Sequence, residues 1–115
     1  MIQIDRRSHM PPYQQIITNI TQLIILEKLR PGEKLPSVRA LALEVSVNPN
    51  TIQKAYSKLN EAGIIHRETG AGSFVASDAV NICKQRALSE IRGWLHCLVL
   101  AGVDKNEILE FIEQT

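Results

Sequence analysis

Four side chains near the middle of the chain, Asn50, Gln53, Lys54 and Ser57, have the types and spacing of a recognition surface. A carboxamide pairs with a base edge at two points, a lysine neutralises phosphate, and a hydroxyl serves either purpose. Steps of three and four residues put all four on one side of a helix, and no carboxylate interrupts that side before Glu61. The other side carries Ile52, Ala55, Tyr56, Leu59 and Ala62, an apolar stripe that suits a core. Asn48 is an N-cap type, Pro49 fits the first helical position, and Gly63 is a natural left-handed stop. From this helix alone a merely solvated polar face would read the same way, so its neighbours must decide.

Other reactive side chains assemble into nothing comparable. His96 and Cys97 are adjacent and therefore point to different sides of a helix, with no Asp or second His placed to orient His96. A packed or interfacial histidine is the better reading. No phosphate-binding loop, zinc-ligand spacing or Ser/His/Asp ordering occurs, so catalysis, a metal and an obligatory cofactor are not expected. Cys83 and Cys97 are too few for a disulfide framework and are expected as two buried thiols of a reducing compartment.

A 115-residue chain with 44% hydrophobic and 22% charged residues is one domain with room for an appendage. The net charge of +1 is unevenly divided. Residues 1–76 hold nine Lys/Arg against six Asp/Glu, whereas residues 77–115 hold four against six. The positive part coincides with the polar helix, which suits a polyanion. The first ten residues are polar and the longest apolar runs fall far short of a membrane span, so a cytoplasmic location is expected.

The elements that must hold the polar helix are legible in turn. Ile2 and Ile4 alternate with polar residues, a short strand at best. Pro11-Pro12 opens a helix with Ile16, Ile17, Ile20, Leu23 and Ile24 apolar, ending near Leu29 before the Arg30-Pro31-Gly32 turn. Ser37 caps a short helix from Val38 to about Val45. Arg39 lies in its first turn, where a cation opposes the helix dipole; either an external phosphate or a local partner such as Glu33 would relieve it. Ser46-Val47 connects tightly to the polar helix, and the pair forms a helix-turn-helix. Ile64–Arg67 and Ser73–Val75 read as two strands around a tip at Glu68–Gly72, with Arg67 at its base. The expectation is a mainly α fold with a small β-wing, a winged helix-turn-helix over residues 1–76.

The run from Arg30 to Ala42, RPGEKLPSVRALA, resembles the opening signature of the GntR family of bacterial transcription regulators. Val47–Thr51 with Ala55-Tyr56, and then Gly70–Val75, match its later blocks in order and spacing, and Pro12–Ile16 fits as well. The resemblance covers roughly residues 2–76. It implies DNA contacts from Arg39 in the second helix, from Asn48, Asn50, Thr51 and Gln53 in the third, and from a wing whose tip, around Thr69 and Gly70, enters the minor groove. Many relatives carry arginines where this chain has Pro49 and Gln53. Gln53 and Asn50 are expected to favour adenine instead, since a carboxamide pairs with its N6 and N7. With Lys54, Ser57 and Arg67 added from the residues themselves, these form the candidate interface with double-stranded operator DNA.

Residues 77–115 are expected to assemble the protein. A helix starting at Asp78-Ala79 spaces Val80, Cys83, Ala87, Ile91, Trp94 and Leu98 at threes and fours, and ends at Ala101-Gly102. Gly93 sits inside it, at a cost of ~1 kcal/mol against alanine, for which close helix–helix approach or a bend is the usual reason. Asp104 caps a last helix with Ile108, Leu109, Phe111 and Ile112 apolar. Two such helices cannot close a core alone. They either fold back or pair with a second copy; the pair is preferred, with Cys83, Ala87, Ile91, Trp94, Leu98 and Phe111 at the interface. This tail resembles the helical dimerisation element of the YtrA-like subfamily. That likeness implies a homodimeric repressor of a transport-related operon reading an inverted repeat, with any small-molecule effector unidentified. A protein-binding winged helix is the rival reading, and a small enzyme the other.

Overall fold

In the computed structural model, which describes residues 2–115, five helices and one two-stranded antiparallel sheet follow in order. They are α1 (Pro12–Ile25), α2 (Val38–Val45), α3 (Pro49–Glu61), β1 (Ile65–Glu68), β2 (Gly72–Val75), α4 (Ala79–Leu100) and α5 (Lys105–Glu113). The mainly α class with a small β-wing is therefore the observed one. The chain divides into two compact units, one ending at Lys84 and the other spanning Gln85–Thr115. The first is longer than the expected 1–76 because Ala79 and Cys83, in the first turns of α4, are wholly buried in its core.

The first unit is built on α3. Ile52, Tyr56 and Leu59 are almost fully enclosed, and both α1 and α2 pack against this helix. From α1, Ile16, Ile20 and Ile24 recur every fourth residue and are completely buried. Each such side chain contributes about 1.5–3 kcal/mol by leaving water. The result fixes which way α3 faces, since its apolar stripe is pinned and its polar flank must turn outward.

Helix α1 stops four residues before the expected Leu29. Glu27 adopts a left-handed φ of 57°, its N–H bonds to the Ile24 carbonyl, and the Lys28 N–H bonds to that of Leu23. That is the Schellman pattern of closure, here on a glutamate where glycine is the usual signal. Residues 2–10 form no strand. Ile2 and Ile4 pack half-buried against the core as irregular chain. The segment is tied down by Gln15, which is 8% exposed. Its side-chain oxygen accepts the Asp5 N–H at 2.8 Å, and its amide donates to the carbonyls of Asp5 and Met10 at 3.0 and 2.8 Å.

The wing pairs Ile65 with Val75 and Arg67 with Ser73. On its other edge β2 is held by the Gly32–Leu35 segment. There the Leu35 N–H donates to the Ser73 carbonyl at 2.8 Å, and the Val75 N–H to that of Glu33 at 2.9 Å. Gly72 holds φ 113°, a conformation that L side chains rarely adopt, which is why that position takes glycine, and the end of the Lys34 side chain lies across it.

In the second unit α4 ends as expected at Ala101-Gly102, and the Asp104 carboxylate caps α5 by accepting the Asn106 N–H at 2.8 Å. No residue from Gln85 to Thr115 is buried. A Cβ on Gly93 would meet nothing within 4 Å among the described residues.

Candidate nucleic-acid interface

The polar flank of α3 emerges from caps that form as the sequence requires. Ser37 accepts the Ala40 N–H at 3.1 Å to open α2, and Asn48 accepts the Asn50 N–H at 2.8 Å to open α3. Between them Ser46 closes α2 with φ 55°, and the Val47 N–H returns to the Ala42 carbonyl. A non-glycine residue in that region costs about 1–2 kcal/mol, so the turn is held by its surroundings. Tyr56 locks the two helices to the segment before them: its hydroxyl donates to the Pro36 carbonyl at 2.7 Å. Burial, with a smaller push from the Glu44 carboxylate, raises that hydroxyl from 10.0 to about 12.

On the outward side Asn48, Asn50 and Lys54 are exposed, while Thr51, Gln53 and Ser57 are half-buried. Gln53 lies along the helix with its amide donating to the Ser57 hydroxyl at 3.3 Å. One carboxamide oxygen therefore remains available, and the pair presents itself as a unit. The Lys54 ammonium stands 3.9 Å above the Tyr13 ring, a cation–π contact between α3 and α1. Arg39 is exposed in the first turn of α2 and has no carboxylate within ion-pair distance among the described residues. Glu33, its candidate local partner, instead accepts the Arg30 N–H at 3.3 Å. The unfavourable placement of Arg39 against the α2 dipole is thus left without an internal answer.

The wing stands beside this flank. Its tip turns at Thr69-Gly70-Ala71, with Gly70 at φ 78° and the Ala71 N–H on the Glu68 carbonyl at 2.9 Å. Arg67, Thr69 and Gly70 are exposed. His66 stacks on Phe74 with ring centroids 5.9 Å apart, and its Nε2 lies 3.3 Å from a Glu68 carboxylate oxygen. A groove of about 570 Å³ runs between the wing, the Lys34–Val38 segment and the Gln53 and Tyr56 side of α3. It brings Gln53, Arg67, Thr69 and Gly70 together, and adds Lys34 and Ser37, which sequence reasoning treated only as loop and cap. The signal for Lys34 was its place directly before the Leu35-Pro36-Ser37 cap, read for backbone conformation and not for charge.

The second set of expected site residues divides. Ile91, Trp94, Leu98 and Phe111 are exposed, Trp94 and Phe111 to 66% and 74%, and Ala87 is half-buried. Cys83 is a correction: it is wholly enclosed in the core of the first unit and is not available to an interface. The stripe of threes and fours continues through it, but its first turns serve a different core. Cys97 is exposed, against the expectation of a buried thiol; His96 is exposed too, which leaves the interfacial alternative of the packed-or-interfacial reading. Among the described residues no group of His, Cys, Asp and Glu could hold a metal ion, and no helix is long and apolar enough to cross a membrane.

Comparison with known proteins places this geometry. Residues 12–75, from the start of α1 to the end of β2, match the model of the bacterial regulatory proteins, gntR family. The chain is 38% identical over 118 aligned positions to the HTH-type transcriptional repressor YtrA of Bacillus subtilis, covering 99% of this chain and 91% of that protein. A GntR family transcriptional regulator from Listeria monocytogenes superposes with a TM-score of 0.81 at 29% identity, covering 97% of this chain and 99% of the other. The DNA-binding domain of AraR in complex with operator ORX1 superposes with a TM-score of 0.58 at 31% identity, over 64% of this chain and 90% of that one.

Proposed function

The chain belongs to the gntR family of bacterial regulatory proteins, a non-enzymatic class, and we propose that it is a cytoplasmic homodimeric repressor that binds operator DNA through α3, the start of α2 and the wing. The observation that carries this reading is Arg39, an exposed cation in the first turn of α2 with no counter-charge among the described residues, on a helix that packs against α3, whose polar flank faces outward. A phosphate is the group that answers it, because the amides at the start of α2 and the guanidinium attract the same anion.

In this arrangement Asn50 and the Gln53–Ser57 pair meet base edges in the major groove, and Asn48 and Thr51 meet the backbone at the start of the helix. The wing tip, Thr69 and Gly70, lies in the adjacent minor groove. A sugar-phosphate strand then runs along the groove between wing and helix, flanked by Lys34 and Arg67. Affinity comes mainly from phosphate neutralisation and falls steeply with salt.

The second unit supports the dimer. With no buried residue of its own and Ile91, Trp94, Leu98 and Phe111 exposed, it needs another apolar surface, and a second copy supplies one by C₂ symmetry. Gly93, with open space at its Cβ, allows a partner helix to come close. Two copies place two recognition helices on half-sites of an inverted repeat. YtrA of Bacillus subtilis is named a repressor, which supports the sign of regulation, and a transport-related operon is the proposed target. A mobility-shift assay with the DNA upstream of the protein's own operon, at two salt concentrations, tests the reading. A retarded band that weakens with salt and resists random competitor is expected; equal competition by random DNA would refute operator recognition.

A further inference from the structure

Arg6 lies outside every element assigned above, yet among the described residues it makes the side-chain hydrogen bonds that span the most sequence. We propose that Arg6 is a positioning residue for DNA recognition, which braces the turn between α2 and α3 from the amino-terminal arm and touches no DNA itself. The proposal rests on the regulator reading, and deepens it by naming what sets the pitch of the recognition helix.

The arm is a built structure. Beyond the three bonds from Gln15, the Asp5 carboxylate accepts the Arg7 N–H at 3.0 Å, and the Ser8 hydroxyl accepts the Met10 N–H at 3.0 Å. From this loop the Arg6 guanidinium reaches forty residues along the chain. Its Nη2 donates to the Ser46 carbonyl at 2.7 Å and lies 3.5 Å from that of Val45. These are the carbonyls that a helix leaves unpaired at its C-terminal end, where the dipole favours a cation. Helix α2 has no basic residue in its own last turn. Arg6 supplies the cation from elsewhere.

The place it acts on is the hinge of the recognition unit. Ser46 holds a left-handed φ without being glycine, and α3 begins at Pro49, three residues later. A change in the Ser46 dihedrals swings all thirteen residues of α3, so a small motion at the turn displaces Gln53 and Ser57 from a base edge. Lys54 on the Tyr13 ring is a second tie on the same helix, from α1. Both contacts use one guanidinium nitrogen, Nη2, so in this proposal Arg6 acts on the turn and the phosphate-neutralising cations are others.

The test uses the full chain as wild type, Arg6→Ala and Arg6→Lys, with a duplex selected from random DNA by the wild-type protein and a scrambled duplex, titrated over a range of salt. Arg6→Ala should bind the selected duplex about tenfold more weakly, bind the scrambled duplex unchanged, and keep the wild-type salt slope. Arg6→Lys should recover most of the loss, since an ammonium still donates to the Ser46 carbonyl. Equal losses on both duplexes with a slope lower by about one would show a direct phosphate contact and overturn the proposal. Amide exchange at Val47 and Asn50 gives a readout without DNA: faster in Arg6→Ala and restored in Arg6→Lys. Unchanged exchange overturns the brace. If the wild type selected no duplex, the regulator reading would fall, and the exchange rates alone would decide whether Arg6 holds the turn.

Discussion

The two units of this chain satisfy their apolar residues in opposite ways. The unit ending at Lys84 encloses Ile16, Ile20, Leu41, Ile52, Leu59 and Val75 almost completely, whereas Gln85–Thr115 buries nothing and leaves Trp94, Leu100 and Phe111 two-thirds exposed or more. Both have amphipathic helices with sound caps. The difference lies in how many elements converge: α1, α2, α3 and the wing close around one another, while parts of two helices have too little surface to do so. A helix pattern in sequence therefore promises an apolar face but does not say whether the chain itself will cover it.

The largest effect should fall on the self-sufficient unit. Ile20 is fully buried in the middle of α1, so Ile20→Ala should cost about 2–5 kcal/mol by lost transfer and a residual cavity. Denaturant melts at several protein concentrations would show that loss at each of them. A deficit that vanished at high concentration would mean that the first unit also depends on a partner.

Trp94→Asp probes the other unit. A charge in the apolar stripe should leave the fold of the first unit intact and convert a dimer to a monomer in sedimentation at micromolar concentration. Operator affinity should then fall about a hundredfold, because two half-sites are no longer engaged together. A monomeric wild type that binds its operator as tightly would contradict the pairing.

What could be read from the chain, and what could not, follows the same division. Caps were legible: Ser37, Asn48 and Asp104 each accept a first-turn amide as their side chains require. So were the burial of Ile52, Tyr56 and Leu59 and the turn of the wing, because period and turn chemistry are local. The end of α1 was not, since Glu27 takes the left-handed conformation for which glycine is the usual signal. Cys83 was misassigned for a related reason: one continuous stripe on α4 serves two environments, and periodicity carries no mark where one gives way to the other. The order of the arm is not legible because its bonds from Arg6 and Gln15 span five to forty residues and leave no pattern in sequence.

Tyr56 offers a smaller effect, with a sign that reverses with pH. Its hydroxyl is raised from 10.0 to about 12 in the fold, so the folded state holds that proton more tightly than the unfolded chain does. Its contribution is complete below pH 10 and is lost as pH climbs toward 12, by about 2–3 kcal/mol in all. Tyr56→Phe should be less stable at pH 7 by about 1–2 kcal/mol, since the Pro36 carbonyl loses its donor. The same variant lacks the alkaline step, so the two stability curves should converge or cross between pH 10 and 12. Parallel curves would show that the hydroxyl is not the group being titrated.

The smallest effects separate the two kinds of contact within the proposed interface. Arg39→Ala removes a cation that lacks an internal partner, so stability should hold or rise by a few tenths of a kcal/mol as the clash with the α2 dipole is relieved. DNA binding should weaken severalfold on every duplex, with a salt slope lower by about one. Gln53→Ala should do the reverse, leaving the slope alone and relaxing preference at one base by about 1–3 kcal/mol. The Ser57 hydroxyl, which accepts the Gln53 amide at 3.3 Å, is then freed to contact the DNA in its place. Selection from random DNA with both proteins reads the outcome directly. An unchanged preference at every position would remove Gln53 from the readout and leave recognition to Asn50 and the wing.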